Sequence, residues 1–124
     1  MTRAAFIDHV TIPVRDVATS SRFYEAALAP FGIETAEIDG VFGFGPPGSV
    51  DFFVGEGEPA ALHIAFAAPD RATVDAFHAA ALAAGGHDNG APGLRPQYHA
   101  DYYGAYVFDP DGHNVEAVCH RPET

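Results

Sequence analysis

The chain has 124 residues, of which 48% are apolar, and its formal net charge at pH 7 is −11. This length favours one compact domain with a core, and the acidic balance argues against a nucleic-acid partner, because neutralising phosphates requires a basic face. The single cysteine, Cys119, excludes an intrachain disulfide and a cysteine-based zinc site. No apolar run approaches the roughly 20 residues that cross a bilayer. Asp8 and His9 also come too early for a signal peptide, so we expect a cytoplasmic protein without a membrane partner.

The first half of the chain predicts a strand, a helix and three further strands. Residues 7–14 are apolar and partly β-branched, which is typical of a strand. Asp16 then stands where a helix N-cap is expected, and Phe23 and Ala27 lie on one apolar helical face. Gly32 suits the end of this helix. The three strands that follow are predicted near residues 34–38, 41–44 and 50–54.

The second half repeats this pattern at an offset of 54 residues. Between residues 9–32 and residues 63–86, ten of the 24 aligned pairs are identical, including His9 with His63. Matches of histidine, aspartate, phenylalanine and glycine in one register indicate a duplication. We therefore predict an α+β protein built from two βαβββ modules, residues 1–58 and residues 59–124.

The last hairpins of the two halves match at a different offset of 64 residues, which aligns residues 44–48 with residues 108–112. Proline at the second position and glycine at the fourth predict a type I turn in both. The larger offset indicates an insertion of ten residues in the second module. It falls within residues 87–101, which are rich in glycine and proline and predict a long loop. The strands of the second module are predicted near residues 61–68, 94–98, 102–108 and 114–119, with its helix after Asp70.

The repeat predicts a shared cavity with four corners. His9 and His63 alternate with bulkier residues that would pack on the helices, which leaves both imidazoles on an open, concave face. Glu116 corresponds to Phe52 through the second offset, so the corners hold two histidines, one glutamate and one phenylalanine. Two imidazoles and one carboxylate form a facial triad for one divalent metal. Each residue taken alone would also fit a core or rim position without a ligand.

Further polar and aromatic residues are predicted near this cavity. Tyr106 and Tyr102 share strand parity and could donate hydrogen bonds to a metal-bound oxygen, or could serve only as aromatic packing. The inserted segment contributes Arg95, Tyr98 and His99, which are suited to an anion clamp, a pocket wall and a general base, or to a plain surface loop. Tyr106 and His99 are therefore catalytic candidates. The substrate-binding candidates are Phe52, Arg95, Tyr98 and Tyr102.

Three segments carry a resemblance to a known family: H-V near the start, L-H-I-A-F in the middle and D-P-D-G-H-N-V-E near the end. Over residues 5–120 the chain resembles the vicinal oxygen chelate superfamily. That group contains glyoxalase I, extradiol dioxygenases, fosfomycin-resistance thiol transferases and bleomycin-resistance proteins. The resemblance implies a cupped mixed sheet around one divalent metal (iron, manganese, nickel or zinc) and a homodimer whose modules pair within or between chains.

The resemblance also assigns residues. His9, His63 and Glu116 match the superfamily's metal ligands, whereas Phe52 departs from glyoxalase I, in which the matching residue is a fourth, acidic ligand. The implied function is a metal-dependent enzyme acting on a small oxygen-bearing substrate, as a lyase, isomerase, transferase or dioxygenase. The alternative is a non-enzymatic protein of the bleomycin-resistance type that binds or sequesters a small molecule.

Overall fold

A computed structural model describes residues 7–123. Residues 1–6 of the predicted first module and residue 124 of the predicted second module lie outside the described residues. Within this range, each module contributes one helix and one four-stranded sheet. The first module comprises β1 (Val10–Val14), α1 (Val17–Leu28), β2 (Glu34–Ile38), β3 (Val41–Gly45) and β4 (Phe52–Glu56), with a short 3-10 turn at Ala29–Phe31. The second comprises β5 (His63–Ala67), α2 (Arg71–Ala83), β6 (His87–Leu94), β7 (Tyr103–Phe108) and β8 (Asn114–Cys119).

The two sheets have the same topology. Their strand orders are β1-β4-β3-β2 and β5-β8-β7-β6, so β1 and β5 are equivalent edge strands. In each sheet the first strand pairs in parallel with the last, and the remaining pairs are antiparallel. These mixed sheets confirm the α+β class and the two βαβββ modules. No helix among residues 7–123 is long and apolar enough to cross a membrane.

The predicted aspartate caps begin both helices. The Asp16 carboxylate accepts hydrogen bonds from the N–H groups of Ala18 and Thr19, and the Asp70 carboxylate accepts one from the N–H of Thr73. The bond from the Thr19 backbone lowers the pKa of Asp16, and the bond from the Thr73 hydroxyl lowers that of Asp70. Each carboxylate thus satisfies N–H groups that the first helical turn leaves without partners.

The prediction for the inserted segment was wrong in one respect. Residues 87–94, predicted as loop, form strand β6, and residues 95–102, which include most of the predicted strand near residues 94–98, form the connection to β7. The pairing of β6 with β7 shifts register at Asp88/Gly90 and again at Gly90/Gly93. β6 is the edge strand of its sheet, and an edge accommodates Pro92 and these glycine bulges, which a central strand would exclude.

The predicted alignment of the last hairpins was also wrong, by one residue. Val10 pairs with Phe52, and its repeat mate Ile64 pairs with Val115, so the true offset is 63 and the insertion is nine residues. The two turns explain the shift. Hydrogen bonds from Ser49 N–H to Pro46 O and from Gly112 N–H to Asp109 O close them. The glycine with a positive φ angle is therefore the third residue of the first turn (Gly48), as in a type II turn, and the fourth residue of the second turn (Gly112).

One core joins the two modules. The helices pack on each other, and α1 contributes Phe23, Tyr24, Ala27 and Leu28 while α2 contributes Val74, Phe77 and Ala81. Alternate residues of both sheets, including Ile12, Val54, Val107 and Val115, face the same core. The helix-facing sides of both sheets are therefore covered within one chain, and the open faces are the opposite sides.

A buried carboxylate ties the modules together. The hydroxyl of Tyr24 in α1 donates to Oδ2 of Asp109, which follows β7, at 2.5 Å. The same carboxylate accepts from Nδ1 of His113 and from the N–H groups of Asp111 and His113. Burial, and next the charge of Asp109, raises the pKa of Tyr24, so this hydroxyl stays protonated as a donor.

We expect the substitution Tyr24→Phe to lower the free energy of unfolding by about 1.5–3 kcal/mol, because it leaves a buried charge with one donor fewer. Urea unfolding followed by circular dichroism measures the change. Tyr103→Phe is the matched control: its hydroxyl donates to Asp75 at 2.6 Å on the surface, and its loss should cost less than about 1 kcal/mol. Equal effects of the two substitutions would contradict the inter-module role of Tyr24.

Candidate functional site

Two of the predicted ligands meet on the open face of the second sheet. β5 and β8 run parallel with Ala65 opposite Glu116, which sets His63 diagonally next to the glutamate. His63 Nε2 lies 2.7 Å from Glu116 Oε1. The Glu116 residue is only 1% exposed, whereas the His63 side chain is 49% exposed. The carboxylate is therefore the floor of the site, and the imidazole connects it to solvent.

Tyr102 covers the second oxygen of Glu116. Its hydroxyl donates to Oε2, and Gly104 leaves the space beside that oxygen open, because a Cβ at Gly104 would lie 3.3 Å from it. Among residues 7–123, His63 and Tyr102 are the side chains that hydrogen-bond this carboxylate. A buried charge is costly unless it is paired, so Glu116 depends on both neighbours.

The two tyrosines are hydrogen-bond donors at neutral pH. Burial raises the pKa of Tyr102, and the hydrogen bond to Glu116 raises it further. Burial likewise raises the pKa of Tyr106, which is paired with Glu116 across β7 and β8. The centre of the Tyr106 ring lies 6.1 Å from that of the His63 ring. The guanidinium of Arg95 lies over the Tyr106 ring, 5.4 Å from its centre. Tyr102 and Tyr106 therefore both lie beside Glu116, and their predicted role toward a metal-bound oxygen stays a prediction.

His9 lies on the other sheet. Its side chain is 58% exposed, its Nδ1 is 2.7 Å from Asp8 Oδ1, and its ring stands edge-on to Phe53 at 5.9 Å. His9 and His63 line one open groove between the edge strands β1 and β5. No group of three or more His, Cys, Asp or Glu side chains in residues 7–123 is close enough to hold a metal ion. Within residues 7–123, His63 and Glu116 are therefore in contact, whereas His9, which directly precedes β1, does not complete a group of three with them.

Phe52 is not at the fourth corner. Its ring packs in the core, 4.9 Å from the ring of Tyr24 and 5.1 Å from that of Phe66, and the residue is 3% exposed. The corrected offset makes Phe53 the mate of Glu116, and the ring of Phe53 lies over Gly43, where a Cβ would come within 2.5 Å of it. The predicted equivalence of Phe52 with Glu116 was wrong because the type II turn advances the glycine by one position, although Phe52 still lines the groove that contains His9 and His63.

Asp51 lies closer to the site than the sequence indicates. It lines the same groove as His9 and His63. Partial burial raises its pKa, and the neighbouring charge of Asp8 adds to the rise. The position that corresponds to Glu116 is nevertheless Phe53, so the first sheet has no carboxylate at the fourth corner.

The inserted loop packs against the glutamate site. Tyr98 is 61% exposed and its ring lies 4.8 Å from that of Tyr102, while Arg95 sits over Tyr106. His99 is hydrogen-bonded to His120, a residue to which the sequence assigned no role. The signal that could have indicated His120 is its position four residues after Glu116, at the end of the same strand. Cys119 is a buried free thiol on the other side of β8.

These features define a protein of paired βαβββ modules with a histidine–carboxylate site on an open sheet face. The chain belongs to the glyoxalase/bleomycin resistance protein/dioxygenase superfamily, whose sequence profile matches residues 6–117. The crystal structure of a glyoxalase/bleomycin resistance protein from Albidiferax ferrireducens is similar at 32% identity and a TM-score of 0.81, covering 95% of this chain and 100% of that chain.

Two more distant structures share the fold. A fosfomycin resistance protein from Listeria monocytogenes is 21% identical with a TM-score of 0.69 and covers 94% of each chain. A lactoylglutathione lyase from Agrobacterium tumefaciens is 19% identical with a TM-score of 0.68 and covers 96% of each chain. Comparison with curated protein sequences finds no significant match.

The corrected register can be tested by paired substitutions. We expect Phe52→Ala to lower the free energy of unfolding by about 3–5 kcal/mol, because it opens a cavity in the core. Phe53→Ala should cost less than half as much, since its half-buried ring lies on the open face. Thermal and urea unfolding measure both changes. A larger loss of stability for Phe53→Ala than for Phe52→Ala would contradict the corrected register and support the alignment of Phe52 with Glu116.

Proposed function

We propose that this protein is a metal-dependent enzyme that acts on a small oxygen-bearing substrate, as a lyase, isomerase, transferase or dioxygenase. The observation that carries the proposal is the buried carboxylate of Glu116, held 2.7 Å from the partly exposed His63. A carboxylate in a strand with apolar neighbours is costly, and sharing a cation with an imidazole offsets that cost.

The residues present fit a divalent metal. Two ligands with bonds of about 2.0–2.1 Å at a right angle lie roughly 3 Å apart, which is close to the separation of His63 Nε2 and Glu116 Oε1. Imidazole and carboxylate suit iron, manganese, nickel and zinc. His63 and Glu116 would hold the ion, and His9 is the third ligand that we propose. When bound, the metal would act as a Lewis acid on a substrate oxyanion or enolate.

The surrounding side chains suit this chemistry. Tyr102 orients Glu116 through its hydrogen bond, and Tyr106, with its raised pKa, remains able to donate to a substrate oxygen. Arg95, above the Tyr106 ring, offers a positive charge to an anionic substrate. Tyr98 forms an exposed wall, and His99 is the candidate general base.

The residue at the fourth corner of the cavity limits which reactions the proposed enzyme can catalyse. The resemblance to glyoxalase I implies an acidic residue where this chain has Phe53, and a phenyl ring neither binds a metal nor moves a proton. We therefore propose that the enzyme is not a glyoxalase I, although one structural neighbour is a lactoylglutathione lyase. Chemistry that needs three protein ligands remains available, as in the dioxygenase-like and thiol-transferase-like members of the superfamily.

We propose further that the protein is a cytoplasmic homodimer in which the first sheet of one copy faces the second sheet of the other. His9 is largely exposed on an open face, and Glu116 and His63 lie on the other open face. Because the helix-facing sides share one core, joining the open faces of a single chain would break that core. A second copy brings them together without this cost.

Metal binding tests the enzyme proposal. We expect the purified protein to bind one Zn²⁺ or Mn²⁺ per chain by calorimetry, and His63→Ala or Glu116→Gln to weaken binding at least about 100-fold, because each removes a ligand. His87→Ala is the control, an exposed histidine at the start of β6. Circular dichroism must show that each variant is folded. Wild-type affinity in folded His63→Ala would contradict the site.

Complementation tests the shared site. His9→Ala and Glu116→Gln should each abolish binding, but a mixture refolded together should recover metal at one site per heterodimer. In that heterodimer one site combines the intact His9 of one copy with the intact His63 and Glu116 of the other. Native mass spectrometry measures dimer and metal together. A mixture that recovers no metal would indicate that the three ligands belong to one chain.

The second candidate is a non-enzymatic protein that binds a small molecule, and one observation favours it. An apolar cavity of about 280 Å³ lies between the modules, lined by four phenylalanines and Asp51. Its size approaches that of a small-ligand pocket. Ligand-detected NMR with and without a chelator separates the candidates: binding that is equal in both conditions supports the binder. Turnover that His63→Ala abolishes supports the enzyme.

A further inference from the structure

The loop between β6 and β7 is the main difference between the modules. The first module joins β2 to β3 through Asp39 and Gly40, whereas residues 95–102 separate β6 from β7. A hydrogen bond from Arg95 N–H to Tyr102 O closes the base of this loop at 2.8 Å. The loop is also tied to the end of β8, because His99 Nε2 lies 2.9 Å from Nδ1 of His120.

The hydrogen bonds around this histidine pair fix its protonation. His99 Nδ1 accepts the N–H of Asp101 at 3.1 Å, so its proton is on Nε2, which must be the donor toward His120. His120 Nδ1 is then the acceptor. The donor nitrogen of His99 thus faces the acceptor nitrogen of His120 across 2.9 Å.

The pair borders the ring of Tyr102. Three rings surround it: Tyr98 at 4.8 Å, His120 at 5.2 Å and His99 at 5.6 Å between ring centres. From this slot the Tyr102 hydroxyl reaches Glu116. The two histidine rings therefore fix both the loop and the tyrosine that covers the buried carboxylate.

We propose that His120 is a positioning residue: its hydrogen bond to His99 holds the inserted loop so that the Tyr102 hydroxyl stays on Glu116. The effect on metal affinity rests on the proposed function, whereas the effect on the loop does not.

Two substitutions of one residue separate this role from simple packing. His120→Asn retains an acceptor, because the amide oxygen of asparagine stands where Nδ1 stands in histidine, and it does not titrate. His120→Ala removes the acceptor. Amide hydrogen exchange of Arg95, Tyr98 and Tyr102, measured by NMR in the metal-free protein, reports on the loop.

At pH 7.5 we expect protection in His120→Asn to equal the wild type and protection in His120→Ala to fall by about 3- to 10-fold, as for the loss of one hydrogen bond. His87→Asn is the control and should behave as the wild type. Equal protection in His120→Ala and the wild type at pH 7.5 would overturn the proposal.

Zn²⁺ affinity at pH 7.5 tests the consequence for the site. It should weaken about 10-fold in His120→Ala and remain unchanged in His120→Asn, since a residue that orients a ligand through others commonly has an effect of this size. A freed loop with unchanged Zn²⁺ affinity would show that His120 does not position Glu116. If the wild type binds no Zn²⁺, the proposed function fails, and the exchange data alone decide whether the pair holds the loop.

Discussion

The histidine–carboxylate site of this protein depends on one carboxylate removed from water. Glu116 lies between apolar strand residues, and an unpaired charge there would cost several kcal/mol. His63 and Tyr102 offset that cost, and Gly104 leaves the space that the tyrosine ring and the carboxylate need. A residue kept for packing alone would be apolar. The arrangement instead keeps one carboxylate oxygen next to an imidazole that is open to solvent.

The shared core determines which faces of the two sheets are free to contribute further residues to the site. Both sheets turn their apolar sides toward α1 and α2, and Tyr24 reaches across the module boundary to Asp109. The open faces are consequently opposite sides of separate sheets, with His9 on one and His63 with Glu116 on the other. This explains why a chain can contain all three proposed ligands while only His63 and Glu116 are in contact.

Much of the fold and part of the site follow from local rules. Asp16 and Asp70 as caps and strand β8 were predicted because side-chain period and capping depend on neighbours in sequence. The internal repeat predicted that His63 and Glu116 face one cavity, whereas their direct contact across β5 and β8 is a product of the tertiary fold. The equivalence of Glu116 with Phe53 rather than with Phe52 was missed, because two turns of equal length place glycine at different positions. β6 was missed because an edge strand tolerates residues that resemble a loop. His120 was missed because its partner, His99, is brought near only by the tertiary fold.

The duplicated modules have become chemically unequal, and this inequality favours one way of pairing. Equivalent positions hold Phe53 and Gly43 in the first sheet but Glu116 and Tyr106 in the second. Two second sheets facing each other would bring two buried carboxylates together, and like charges in a site of low dielectric repel strongly. Two first sheets would bring together histidines without the buried carboxylate of Glu116. Under two-fold symmetry, only unlike sheets combine one carboxylate with two imidazoles, and they do so twice per dimer.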